Sequence, residues 1–234
     1  MRRALVAAAA IGVVALAGTM LLPGTAHGDA DFTCQGGFSN PASGTYKNVI
    51  VPSTANSTNF CFMNGATVTK NVTVQPGGAV LIANSTIGRD FTSPSAGTAA
   101  GGLYFSVAMS GSTVGHNLSV SGSSSLVEIG TDDYGNNCVG TIAPNTLNGS
   151  NNISNNQGGV EVEGNHVNGD LTVNNNSGLL PGGPNGRDFD ASPGATTAVN
   201  NNSDSRHQLS CSGNAGVVDS SNNTFKTVLG QCNP

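Results

Sequence analysis

One pattern of polar and apolar positions returns throughout this chain: a hydroxyl residue, an apolar one, two free positions, an amide or carboxyl, then an apolar–hydroxyl–apolar triplet. TVTKNVTV from Thr67 to Val74 and TVGHNLSV from Thr113 to Val120 are its clearest copies. TIGRDFTS begins at Thr86, HVNGDLTV at His166 and a degraded DSRHQLSC at Asp204. TYKNVIV at Thr45 is one residue short, TLNGSNNIS at Thr146 carries a small insertion, and TFKTVLG at Thr224 closes the set. With the first apolar position as marker, the copies fall at Tyr46, Val68, Ile87, Val114, Leu147, Val167, Ser205 and Phe225. The tightest separations, Val68 to Ile87, Leu147 to Val167 and Ser205 to Phe225, are 19 or 20 residues. A repeat of this period is the signature of a solenoid.

The residues ahead of each marker say which solenoid it is. Seven and five positions upstream lie Cys61 and Met63, Val80 and Ile82, Val107 and Met109, Val160 and Val162. Apolar residues two apart mark strands that show one face inward, and helical spacing is not sustained anywhere beyond a turn. Turn-forming segments such as PGG at Pro76, SGSSS at Ser121 and NNNSG at Asn174 separate the strands. The pattern predicts an all-β, single-stranded parallel β-helix, right-handed, of about seven to eight coils. Within it Asn71, Asp90, Asn117 and Asp170 share one turn position and are expected to stack as a ladder, since short amides and carboxyls bond their own turns. Thr73, Thr92, Ser119, Thr172 and Ser210 are expected to point outward as a hydroxyl stripe.

Composition agrees with a thin, repeated core. Charged residues make up 9% and aromatics 5%, there is no Trp, and Gly numbers 33. That is too few bulky groups for a thick globule, while Val, Ile and Leu recur too regularly for disorder. A net charge of −5 with eight Lys and Arg in all provides no electrostatic footprint for nucleic acid. The start of the chain has a separate purpose. Met1-Arg2-Arg3 is followed by near-continuous apolar sequence to Leu22 and by small residues up to Gly28, the form of a secretory signal peptide. Residues 1–28 are therefore assigned to the signal, with retention as an anchor the alternative, and 29–234 to one β-helix domain. Once the signal is removed, no stretch remains that could span a bilayer.

The run GTYKNVIVP, the following Cys, GATVTKNVTVQPGGAV, and an ending of the form LSCSGN and NTFKTVLGQC resemble secreted bacterial β-helix repeat proteins of the kind common in actinobacteria. The resemblance covers roughly residues 34 to 232. It implies export and a β-helix fold, and no established activity. The chain departs from that pattern in two insertions, near 131–144 and 179–202.

Five cysteines in an exported chain leave one over. Cys34 and Cys61 bracket the first coil and Cys211 and Cys232 the last, so two disulfides are expected to staple the exposed ends of the solenoid. Cys138 is then a free thiol, either a small apolar residue in its insertion or a reactive or intermolecular group.

Catalysis by a β-helix on polysaccharide would need clustered carboxylates. The candidates are Asp132 and Asp133 beside Tyr134, and Asp188 and Asp190 around Phe189, each in an insertion where Asp also simply forms turns. Glu128, Glu161 and Glu163 lie on strands and are expected to be solvated. Lys70, Arg89, His116 and His207 fall two residues after their markers and are expected to form a loose basic column at a solvated edge, not a metal site. No cofactor is expected. The sequences NST, NVT and NLS match glycosylation acceptors but follow from the repeat itself. The favoured reading is a non-enzymatic protein of the cell exterior, structural or adhesive, meeting wall or extracellular glycan or its own copies. The alternative is a polysaccharide lyase or hydrolase using the insertion carboxylates. Mass spectrometry of the exported protein is expected to find a chain starting at Asp29 or, for the neighbouring cleavage site, Asp31; a chain retaining residues 1–22 would show an anchor instead.

Overall fold

The computed structural model describes residues 30–98, 105–131, 143–178 and 195–233. One turn of the chain illustrates the whole. From the strand Val72–Val74 it bends at Pro76-Gly77-Gly78 into Val80–Ala83, bends again at Asn84-Ser85 into Thr86–Ile87, and passes Arg89-Asp90 into Phe91–Pro94. Phe91 then lies beside Val72, one coil further on. Repetition of this path builds three sheets of nine, seven and six strands, and the pairings between their strands are parallel. The fold is the expected parallel β-helix. Nine strands at the usual interstrand distance of ~4.8 Å make a stack of roughly 38 Å.

The period-two pattern decides what faces inward. Val72 and Val74, Val80 and Ile82, and the marker Ile87 all belong to one continuous buried cluster that runs through the coils. Phe91, Leu118 and Leu171 form part of one fully buried column, and each side chain of this size removed from water stabilises the fold by about 2 kcal/mol. The outward neighbours Thr73 and Thr92 are exposed, with Ser119, Thr172 and Ser210 partly so, as the sequence predicts.

Two corners of the coil carry buried ladders that the repeat template did not isolate. Between the seven- and six-stranded sheets, Ser85, Ser112, Asn145, Asn165, Asn202 and Asn223 stack coil on coil. Ser112 N–H donates to Asn145 Oδ1 at 2.9 Å, Asn145 Nδ2 to Asn165 Oδ1 at 3.0 Å, and Asn165 N–H to Asn202 Oδ1 at 3.1 Å. Each amide also reaches back to a strand carbonyl, Asn165 to Ile129 at 2.8 Å and Asn202 to Val162 at 2.8 Å. Between the nine- and seven-stranded sheets, Asn156, Asn176 and Asn214 repeat the arrangement and Gln231 closes it. The residue just before the ladder position is left-handed at coil after coil, as at Asn84 (φ 49°) and Gly111 (φ 59°). Asn and Gly occupy this place because they adopt positive φ at least cost.

Three expectations need correction. The seventh marker is Asp204, not Ser205: Ser203 bridges His166 on one side and Thr224 on the other, which puts Asp204 in register with Val167 and Phe225. One extra residue before Leu209, which pairs with Leu171, had hidden this shift. The segment expected as an insertion near 179–202 contains a strand of the seven-stranded sheet, Ala195–Asn200, paired on both sides from Thr197 onward. Finally, Glu128, Glu161 and Glu163 are not solvated; their exposures are 5%, 2% and 2%. Their sheet has an apolar outer layer too, with Phe60, Phe62, Leu81, Ala83, Phe105 and Ala108 forming a second buried cluster. Near-continuous runs such as VLIA and FSVAMS are the mark of strands covered on both faces.

The ends are stapled. Cys34 is bonded to Cys61 and Cys211 to Cys232, with Cα separations of 5.0 and 5.2 Å. Closed loops of this size stabilise by about 3 kcal/mol each through restriction of the unfolded chain. Phe32 stacks on Tyr46 at 4.5 Å and covers the first coil. Cys138 lies outside the described residues.

Two substitutions test this account. Asn165→Ala should destabilise by roughly 3 kcal/mol, because it strands buried groups on both neighbouring coils. Thr197 occupies an inward position with no partner for its hydroxyl, so Thr197→Val should stabilise by about 1 kcal/mol. Chemical denaturation of each variant measures both.

Candidate functional site

The third corner, between the six- and nine-stranded sheets, is where polar chemistry reaches the surface. The expected ladder is present there. Asn71 N–H donates to Asn48 Oδ1 at 3.3 Å, Asp90 N–H to Asn71 Oδ1 at 3.3 Å, Asn117 N–H to Asp90 Oδ1 at 3.1 Å, and Ser150 N–H to Asn117 Oδ1 at 3.0 Å. Asp170 continues it by accepting from Gln208 N–H at 3.1 Å. One residue earlier in each coil runs the basic column. Backbone bonds stack Lys70 on Lys47, Arg89 on Lys70 and His116 on Arg89. Gly149 and Gly169 take the next two places, and His207 and Lys226 complete the column. Lys47 and Lys226 were not singled out from the sequence because both belong to shortened or divergent copies of the template.

His116 Nδ1 lies 2.9 Å from Asp90 Oδ1. The hydrogen bond from His116 holds the Asp90 carboxyl below its ordinary value of 3.8. Hydroxyl rows flank the column on both sides. On the six-stranded sheet, Thr45, Thr67, Thr86, Thr113 and Thr146 stand in register, followed by His166 and Ser203. On the nine-stranded sheet, Thr73, Thr92 and Ser119 do the same.

Beside this column, the carboxylate that replaces an apolar marker creates the most polar spot in the core wall. The Asp204 side chain is 2% exposed. It accepts from Gly169 N–H at 3.1 Å and from Arg206 N–H at 2.7 Å, and its Oδ2 lies 2.6 Å from His207 Nδ1. Burial penalises the charge on Asp204, but the N–H groups of Arg206 and His207 together with the His207 ring outweigh that penalty and bring its pKa below 3.8. Ser203 Oγ lies 2.9 Å from a different imidazole, His166 Nδ1. Serine and carboxylate thus serve separate histidines, so the group lacks the single serine–imidazole–carboxylate relay that nucleophilic catalysis uses. A cavity of about 420 Å³ opens over His166, Ser203, Asp204 and Arg206.

The remaining candidates divide by position. Asp132, Asp133, Asp188 and Asp190 lie outside the described residues. Glu128 and Glu161 are neighbours across adjacent strands, as their equivalent positions predict, and Asn201 Nδ2 donates to Glu163 Oε1 at 3.1 Å. Among the described residues no three His, Cys, Asp or Glu side chains are grouped to hold a metal ion. The Asp204 site went unnoticed in the sequence because the extra residue had displaced the marker; Asp at an otherwise apolar column is its one signal. No family model, curated protein or solved structure matches this chain.

The pH dependence follows from the sign of the shift. With a folded-state pKa below 3.8, ionised Asp204 contributes stability that is present above that value and is lost as pH falls through the lower folded one. Asp204→Asn should therefore lower stability near neutral pH, by on the order of 2 kcal/mol for a charge-assisted network. The gap between wild type and variant should narrow as the pH drops below 3.8, which thermal unfolding across a pH series would record.

Proposed function

We propose that this protein is a non-enzymatic component of the cell exterior, a rigid rod that adheres to glycan or serves as structure. The observation that carries this reading is the in-register hydroxyl row Thr45, Thr67, Thr86, Thr113 and Thr146 along the outside of the six-stranded sheet. Each hydroxyl both donates and accepts, and sugar hydroxyls need both. Repetition at the coil spacing makes many weak contacts available to one polymer, so binding is broad and depends on avidity. Two disulfides fit an oxidising compartment, and among the described residues no helix is long and apolar enough to cross a membrane. Kinship with secreted bacterial β-helix repeat proteins forms part of the same proposal.

The test incubates the mature protein with a panel of insoluble and soluble polysaccharides, with and without calcium. Retention on insoluble glycan, with no new reducing ends and no unsaturated products, is the expected result. Turnover abolished by Asp132→Ala/Asp133→Ala or by Asp188→Ala/Asp190→Ala would replace this reading with a carbohydrate-active enzyme.

A further inference from the structure

The described Lys and Arg residues are gathered in one place in this molecule. The described residues contain five Lys and Arg, and Lys47, Lys70, Arg89, Arg206 and Lys226 all lie at the one corner between the six- and nine-stranded sheets. Lys70, Arg89, Arg206 and Lys226 are exposed. The ion pairs among the described residues are made by histidines, His116 with Asp90 and His207 with Asp204, so none of the five has an acidic partner. Glu128, Glu161, Glu163 and Asp219 sit on the seven-stranded sheet, the face opposite this corner in a three-sided coil. Asp31, Asp90, Asp170 and Asp204 share the corner, but Asp31 accepts from Asn48 Nδ2 and the other three accept backbone N–H groups. The column reads Lys, Lys, Arg, His, Gly, Gly, His, Lys from first coil to last, a line of roughly 34 Å at the interstrand spacing.

We infer that this edge binds an extended anionic glycan, one carrying carboxylates along its chain, laid parallel to the solenoid axis. The inference rests on the adhesive reading above and narrows its partner. An exposed cation without an ion pair gains from an incoming anion without breaking a contact of its own. Stacked coils hold these cations at short, regular intervals, so a polymer with repeated charge meets several at once and a monovalent ligand meets one. The Thr and Ser rows on either side offer hydrogen bonds to the polymer's hydroxyls. A hollow of about 380 Å³ beside Arg89, Asp90 and His116 gives a sugar ring room to approach; Gly88 and Gly115 line it. Single-stranded nucleic acid would need aromatic platforms for its bases, and the aromatics nearest this corner belong to the core, with Tyr46 and Phe91 buried in it and Phe32 and Phe225 packed against it. A membrane surface would need an apolar wedge beside the charges, and among the described residues the exposed large apolar side chains are scattered: Phe38 and Val217 lie by the seven-stranded sheet, and Leu229 stands alone at the end of the flanking row, in register with Ser210.

The experiment measures binding of the mature protein to polygalacturonate, to its fully methyl-esterified neutral form, to oligothymidylate and to vesicles containing an anionic phospholipid. Polygalacturonate should bind best, and its affinity should fall steeply as salt shortens the screening length. Lys70→Gln/Arg89→Gln should weaken it about tenfold, two neighbouring contacts having been removed, with the unfolding midpoint unchanged because neither side chain is paired. Equal binding of the neutral ester would overturn the inference and leave the adhesive reading standing. Preference for oligothymidylate or vesicles, or an unaffected double variant, would overturn it as well. Failure to bind either glycan would overturn the inference, and the adhesive reading would then be decided by the wider polysaccharide panel.

Discussion

The architecture depends on one requirement: at every corner of the coil a backbone N–H leaves its strand and must find a new acceptor, at two of the corners where water does not reach. A strand satisfies its amides from the next coil, but a bend turns some of them away from that ladder. Here the side chain of the equivalent residue on an adjacent coil supplies the acceptor, one coil later at the two buried corners and one coil earlier at the third. At the two buried corners an Asn does so while its own amide nitrogen reaches back to a strand carbonyl, as Asn165 and Asn202 do. This locks register as well as satisfying the bond, since slipping the stack would leave a line of buried amides unpaired.

Identical positions must then lie on top of one another, and that stacking amplifies single residues into surfaces. A Thr at one outward position becomes a hydroxyl row; a Lys at one corner becomes a charged edge. Parallel in-register stacking normally sets like charges against each other. The chain relieves this by turning from Lys and Arg to His and then to glycines in the middle of the column. Glu128, Glu161, Glu163 and Asp219 lie on another sheet and the four acids at this corner are engaged by hydrogen bonds, so a protein with net charge −5 still presents a cationic line.

The core column tolerates interruption where the lost burial is offset. Asp204 replaces an apolar marker but gathers two backbone N–H donors and an imidazole, which suits the extra residue in that coil. Ser93, Asn151 and Thr197 also face inward, and each has a polar atom without a partner. The repeat therefore carries a reserve of stability spread over many coils, as expected where each coil contacts only its neighbours. At the C-terminal end Val218, Phe225 and Val228 are only partly buried, and the Cys211–Cys232 bond holds the last coil where packing is thinnest.

The sequence by itself determined the coil: its period, the inward positions such as Val80 and Ile82, the Asn71–Asp90–Asn117 ladder, the outward Thr and Ser, and the two end staples. These are local or strictly periodic properties, and a periodic chain repeats them wherever the register is unbroken. Tertiary structure alone decided what breaks or crosses that period. One extra residue moved the seventh marker to Asp204, because the sheets hold both flanking strands in place and push the slack into the corner. The buried ladder that runs through Asn145, Asn165 and Asn202 sits one place before the template starts, where the sequence varies from Ala66 and Ser85 to Asn165, and its shared role appears only when coils are stacked. Glu128, Glu161 and Glu163 looked solvated because strand alternation points them outward, and only the covered outer face of their sheet makes them buried. The cationic edge was half legible, as four residues at one offset, since shortened copies put Lys47 and Lys226 out of step in sequence while the hydrogen-bonded stack returns them to line.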